Sequence, residues 1–140
     1  MNALVGKELS IITAKAQTTR HRILGIVNGE DFQMVFSDTP GVIKPAYEMQ
    51  SSMMNFVKEA LVDADVLIYM VTAEESELKD EKLFERIKKS KAPLFILINK
   101  IDLSSQELVE KTVAHWQSVF PVAKVCPISA LTGFFIPELL

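Results

Sequence analysis

Leu94-Phe95-Ile96-Leu97-Ile98-Asn99-Lys100-Ile101-Asp102 is an unbroken apolar run that passes directly into a polar tip. Five apolar residues with no polar alternation, opened by Pro93, predict a strand buried on both faces, as in parallel sheets. Val66-Leu67-Ile68-Tyr69-Met70-Val71 predicts another of the same kind. Between them lies a charged helix, from about Leu78 to Lys89, that keeps Leu83, Phe84 and Ile87 for its inner side. A second helix follows from about Gln106 to Val119, with Leu108, Val109, Val113 and Trp116 inward. Val122 to Ile128 makes the last strand, and Pro127 puts it at an edge. Strand, helix, strand, helix, strand describes an α/β fold with a parallel sheet.

Upstream, Ile23–Val27 and Phe32–Phe36 are strand-like and joined by Asn28-Gly29-Glu30-Asp31. Asn-Gly between apolar runs predicts an antiparallel hairpin. Met49, Met53, Phe56, Val57, Ala60, Leu61 and Ala64 recur at helical spacing. Residues 1–6 read as the last turn of a helix ended by Gly6, and Thr13 to Thr19 as a loop. The 140 residues fit one domain, and 49% hydrophobic residues with mean hydropathy +0.20 belong to a well-buried globular protein. A net charge of −3 gives no basic footprint for nucleic acid. The apolar runs are too short to cross a bilayer, no leader pattern opens the chain, and the one cysteine fits a reducing compartment. A cytoplasmic location is expected.

Ligands of open α/β sheets bind beyond the carboxyl ends of the strands. Three motifs occupy such places: Asp38-Thr39-Pro40-Gly41, Asn99-Lys100-Ile101-Asp102 and Ser129-Ala130-Leu131. All three strand ends are expected to converge on one edge. Asp38 at a strand tip can hold a magnesium ion through its water shell, and Gly41 lets a backbone N–H approach a phosphate oxygen. An ordinary turn would also use Asp, Thr, Pro and Gly.

The Asp102 carboxylate can accept two hydrogen bonds from the N1–H and N2–H₂ edge of guanine, which adenine cannot supply. Asn99 can contact N7 and tie neighbouring loops, while the Lys100 stem covers the base face. The competing reading is a helix start with a capping acid. Ser129-Ala130-Leu131 can offer a backbone N–H to guanine O6, with Ser129 bracing the loop. In Gln17-Thr18-Thr19-Arg20 a threonine hydroxyl could coordinate magnesium, though the same residues suit a solvated loop. No Gly-x-x-x-x-Gly-Lys-Ser/Thr occurs, and Val5-Gly6-Lys7-Glu8 lacks the hydroxyl and the preceding strand that such a loop requires.

Other residues have simpler readings. Cys126 suits a buried strand position, and Met49, Met53 and Met54 suit core packing. His21 and His115 lack companions at metal-ligand spacing. Glu74, Glu75, Glu77, Asp80 and Glu81 read as a solvated acidic loop and helix start.

Gln17-Thr18-Thr19-Arg20-His21-Arg22, Phe36-Ser37-Asp38-Thr39-Pro40-Gly41-Val42 and Asn99-Lys100-Ile101-Asp102 together resemble the Era family of bacterial GTPases, over practically the whole chain. The resemblance implies a P-loop NTPase-like G domain with a mostly parallel sheet, helices on both faces and one antiparallel hairpin. It also implies that residues 1–140 are a partial G domain without the first strand, the phosphate loop or the KH domain.

The implied activity is GTP hydrolysis, as a switch in small ribosomal subunit assembly, with magnesium and GTP or GDP bound. Thr19, by analogy favoured over Thr18, and Asp38 would serve the metal, and Thr19 and Gly41 the catalytic step. Asp38, Thr39, Pro40, Gly41, Asn99, Lys100, Asp102, Ser129, Ala130 and Leu131 would hold the nucleotide. Val42, where other GTPases carry a glutamine, implies slow intrinsic hydrolysis. Implied partners of the parent protein are the small subunit and its RNA, through the absent domain, and peripheral membrane, with no DNA. The alternative is a nucleotide-free pseudo-GTPase or protein-binding module.

Overall fold

A computed structural model of the chain describes residues 1–10, 12, 19–42, 46, 48–76 and 80–140. They fall into two compact units, residues 1–63 with 79–83, and residues 64–78 with 84–140. The architecture is α/β, with a parallel sheet, an antiparallel hairpin and helices, as expected. The described strands form two sheets, one of two strands and one of three.

The first unit opens with helix α1, Asn2–Val5, closed by Gly6 in the left-handed region at φ 72°. Glycine takes that conformation without a Cβ clash, so the predicted helix end is real. Strands β1, Ile23–Asn28, and β2, Gln33–Asp38, pair antiparallel, with Ile23 opposite Asp38 and Asn28 opposite Gln33. The Phe32 ring packs over Gly29 in the turn, 2.2 Å from where a Cβ would stand, so a larger residue there would push that exposed ring aside. At Gly25 a Cβ would meet Val5 at 2.7 Å, so α1 rests directly on β1.

Helix α2, Glu48–Asp63, buries Met53, Met54 and Val57. Met49, expected inside, is exposed on its first turn. Arg22 fastens the hairpin to this helix, its Nε donating to Ser37 Oγ at 2.6 Å and its guanidinium pairing with Asp63 at 2.8 Å. His21 adds an edge-to-face contact with Phe56. The phrase that contains both residues thus has a packing role as well.

Helix α3, Glu81–Lys89, starts later than the expected Leu78 because Asp80 caps it, accepting from the N–H groups of Lys82 and Leu83. Leu78 and Glu77 lie outside the described residues.

In the second unit β3, Leu67–Thr72, β4, Leu94–Asn99, and β5, Lys124–Pro127, run parallel in the order β3-β4-β5. The central strand is the core, with Ile96, Leu97 and Ile98 wholly buried. Pro127 sits on the edge strand, where a missing N–H costs no ladder bond. That strand is shorter than expected, and Val122 is exposed before it.

The expectation that 66–71 is buried on both faces is corrected. Leu67 and Val71 are buried, but Ile68 and Met70 on the alternate face are exposed. Successive strand residues point to opposite faces, and the covered one here is that of Leu67, Tyr69 and Val71. Helix α4, Gln106–Val119, is capped by Ser105 Oγ and brings buried Trp116 edge-on to Tyr69, with Phe120 stacked on Trp116. Three of its side chains also hold the segment after β3. Thr112 Oγ donates to Ala73 O at 2.7 Å, Trp116 Nε1 to Glu75 O at 3.2 Å, and His115 Nε2 lies 2.7 Å from Ser76 O. Glu75 is therefore more than a solvated acid, since its carboxylate also accepts from the Thr72 N–H. Cys126 is buried as expected, and burial pushes its thiol up while nearby Lys124 pulls it down.

Candidate nucleotide-binding site

In the second unit the tips of β4 and β5 are fused. Ile128 N–H donates to Ile98 O at 2.8 Å, and Ile101 N–H to Ile128 O at 3.4 Å. Lys100, at φ 63° and ψ 32°, is left-handed, a conformation that costs a non-glycine residue roughly 1–2 kcal/mol. That turn starts a short 3-10 segment, Ile101–Leu103, on which Asp102 faces Ser129. Ser129 Oγ donates to Asp102 Oδ1 at 2.6 Å. Such a short bond to a carboxylate is charge-assisted and fixes its orientation.

Ser129 is almost fully buried and also accepts from Thr132 N–H, while its backbone bridges to Phe134. Asn99 Oδ1 accepts from Ala130 N–H at 3.0 Å, and Asn99 Nδ2 lies 3.6 Å from Met70 Sδ. Asn99, Asp102, Ser129 and Ala130 form one cluster, as the motif order predicted for this pair of strand ends. The expectation of an N–H for guanine O6 takes a particular form here. Ala130 N–H already serves Asn99, and Leu131, exposed beside it, donates no backbone bond among the described residues. Lys100 and Asp102 are solvent-exposed, so the carboxylate edge not held by Ser129 is open to a ligand.

In the first unit Asp38 ends β2, and its Oδ2 accepts from Ser10 Oγ at 2.6 Å. The other oxygen, Oδ1, has no partner among the described residues. Pro40 is fully buried and anchors the turn, Thr39 is half-buried, and Gly41 is exposed. Gln50 is buried in α2 and its Oε1 accepts from Ala46 N–H at 2.7 Å, tying Ala46 to that helix. Thr19 is half-buried, while Gln17 and Thr18 lie outside the described residues.

Among the described residues no three His, Cys, Asp or Glu side chains gather as a cation cage. One strand-tip carboxylate with a free oxygen fits magnesium, which keeps several waters and takes few protein ligands when phosphates supply the rest. Sequence reasoning missed Ser10, Asn2 and Gln50. They are single polar residues whose partners are distant in the chain, and no periodicity reports them.

The family model described as 50S ribosome-binding GTPase matches residues 1–100. The chain is 37% identical over 134 residues to GTPase Era of Clostridium beijerinckii, covering 95% of itself and 45% of that protein. It is 39% identical over 140 residues to GTPase Era of Clostridium perfringens, covering 99% and 47%. A solved structure of Era in complex with MgGDPNP and nucleotides 1506–1542 of 16S ribosomal RNA superposes with TM-score 0.90 at 36% identity, covering 99% of this chain and 48% of that one. The chain thus spans about half the length of the relatives it matches. On the motifs, the fold and the family model together, it belongs to the 50S ribosome-binding GTPase family, and it is similar to the Era proteins of that kind over about half their length.

Proposed function

We propose that this chain is the nucleotide-responsive part of a GTPase that binds GTP and GDP with magnesium and acts as a switch in small ribosomal subunit assembly. The observation that carries the reading is the Asp102–Ser129 and Asn99–Ala130 pair of hydrogen bonds, at 2.6 and 3.0 Å. Ser129 holds one side of the Asp102 carboxylate and leaves an outward edge that suits the paired N–H donors of guanine. Asn99 locks the loop that presents the exposed Leu131 N–H, which suits O6. Adenine would leave the carboxylate without its donors, and a site built on such donors rejects the wrong base strongly.

Asp38 and Thr19 are the residues that would serve magnesium, and Gly41 the one whose backbone would meet the terminal phosphate. The ion, when bound, neutralises charge that develops on the phosphates. Val42, in place of a water-orienting glutamine, supports slow hydrolysis and a timing role. The 16S ribosomal RNA in the matched Era complex supports a small-subunit partner, and ribosomal work supports a cytoplasmic location. A contact with small-subunit RNA, and a peripheral membrane contact, through a further domain of the parent protein belong to the same proposal.

The test is base exchange in the full-length protein that carries this chain. Asp102→Asn should weaken GDP binding roughly 100-fold or more and favour xanthine nucleotides, because the amide reverses one acceptor into a donor. Unchanged GDP affinity in that variant would overturn the assignment. A wild-type protein that takes up no guanine nucleotide would leave a protein-binding module as the better reading.

A further inference from the structure

We infer that Ser10 is a positioning residue for Asp38, orienting its carboxylate for the magnesium ion that accompanies the nucleotide. The inference rests on the nucleotide-binding reading above and adds to it a residue outside the three strand-end motifs. Ser10 Oγ donates to Asp38 Oδ2 at 2.6 Å, across 28 positions of chain. The bond is short and its acceptor is ionised, which makes it one of the stronger kinds of hydrogen bond.

The donor does not dangle from a free loop. Asn2 Oδ1 accepts from the N–H groups of Leu9 at 3.0 Å and Ser10 at 2.9 Å, and Asn2 Nδ2 donates to Ser10 O at 2.7 Å. One amide side chain on α1 therefore clamps the backbone on both sides of the Ser10 peptide. α1 in turn sits on β1, where Gly25 leaves room for Val5, and β1 is paired with β2, which ends in Asp38. The hydroxyl is delivered to the carboxylate from a base that is fixed to the same sheet.

A carboxylate at a strand tip can rotate about its last bond. A hydroxyl fastened to Oδ2 removes that freedom and leaves Oδ1 as the oxygen without a partner among the described residues. Magnesium demands near-octahedral geometry and tolerates misdirected ligands poorly. Groups that orient a metal-serving side chain typically contribute 10- to 100-fold in affinity.

The experiment uses the full-length protein and fluorescent GDP. Magnesium is titrated against the GDP release rate for the wild type, Ser10→Ala, Ser10→Thr and Asp38→Asn. Ser10→Ala should raise the half-saturating magnesium concentration roughly 10-fold, and Ser10→Thr, which keeps the hydroxyl, should titrate close to the wild type. Release in EDTA should be the same for the wild type, Ser10→Ala and Ser10→Thr, because the Ser10 hydroxyl acts only on the carboxylate that serves the metal. Should Asp38→Asn shift the magnesium requirement while Ser10→Ala titrates as wild type, the role of Ser10 is overturned and that of Asp38 stands. Faster release by Ser10→Ala in EDTA, or failure of threonine to restore the titration, would mean that Ser10 acts through the fold, which also overturns the inference. If the wild type binds no GDP, the nucleotide reading falls first and takes this one with it.

Discussion

The tips of β4 and β5 carry Asn99, Asp102 and Ser129 inside a web of side-chain and backbone bonds, whereas at the tip of β2 the Asp38 carboxylate has, among the described residues, a single bond from Ser10. The first region stands on three wholly buried residues, Ile96, Leu97 and Ile98, and on a helix whose tryptophan is equally buried. The second stands on a two-stranded hairpin, a buried proline and a buried glutamine. The difference matches the roles proposed for each region. A base pocket reads a fixed pattern of donors, so rigidity sharpens discrimination. A residue that serves a metal and a terminal phosphate has to register whether that phosphate is there.

The contrast can be broken most forcefully in the core beneath the tips of β4 and β5. Trp116→Ala removes the ring that covers Tyr69 and stacks on Phe120, and should cost about 3–5 kcal/mol. Urea denaturation followed by circular dichroism measures it, and a loss below about 1 kcal/mol would show that α4 does not support these strands. Ser129→Ala strikes the web itself. It strips Asp102 of its donor and Thr132 N–H of its acceptor, and should weaken GDP binding roughly 10- to 100-fold, in EDTA as well as in magnesium. That pattern is the opposite of the one expected for Ser10→Ala, and identical magnesium dependence in the two variants would erase the distinction between the regions.

The smallest effect is expected at Lys100. Lys100→Gly relieves a left-handed lysine and should raise stability by about half a kcal/mol, after the larger unfolded-state entropy of glycine is set against the relief. The same change should weaken GDP binding a few-fold by deleting the stem over the base. A melt and a GDP titration on one sample would check both signs.

Much of this was legible from residue order. The strand at 94–98, buried from Ile96 to Ile98 and half-buried before it, the Asn-Gly hairpin, Gly6 as a helix end and Pro127 on an edge strand each follow from a local rule, and the structure has all four elements. The contact between the Asn99 and Ser129 regions was also legible, because both motifs end parallel strands that the pattern made neighbours. What escaped falls into two kinds. The exposed face of β3 could not be read, since an all-apolar run does not say which face another element will cover. Ser10, Asn2 and Gln50 escaped because a lone serine, asparagine or glutamine in a polar stretch looks the same whether it faces water or closes a bond far along the chain. Lys100 had no signal either, as its strain comes from the tertiary closure of two strand ends.

The pairing pattern of the two sheets also has a consequence for the order in which the chain acquires structure. β1 and β2 meet across a four-residue turn, so their contacts close as soon as residues 23–38 are free to move. Hairpins form in about 1–10 μs. β3, β4 and β5 must instead wait for crossovers that carry α3 and α4, and parallel pairing at such separations is slow. Synthesis from the N-terminus widens that gap, since β5 is made more than eighty residues after β2. The contacts of the strand that ends in Asp38 are therefore expected to form before those that join the tips of β4 and β5, so a nascent chain would assemble the proposed metal-serving end first and the proposed base-reading end last.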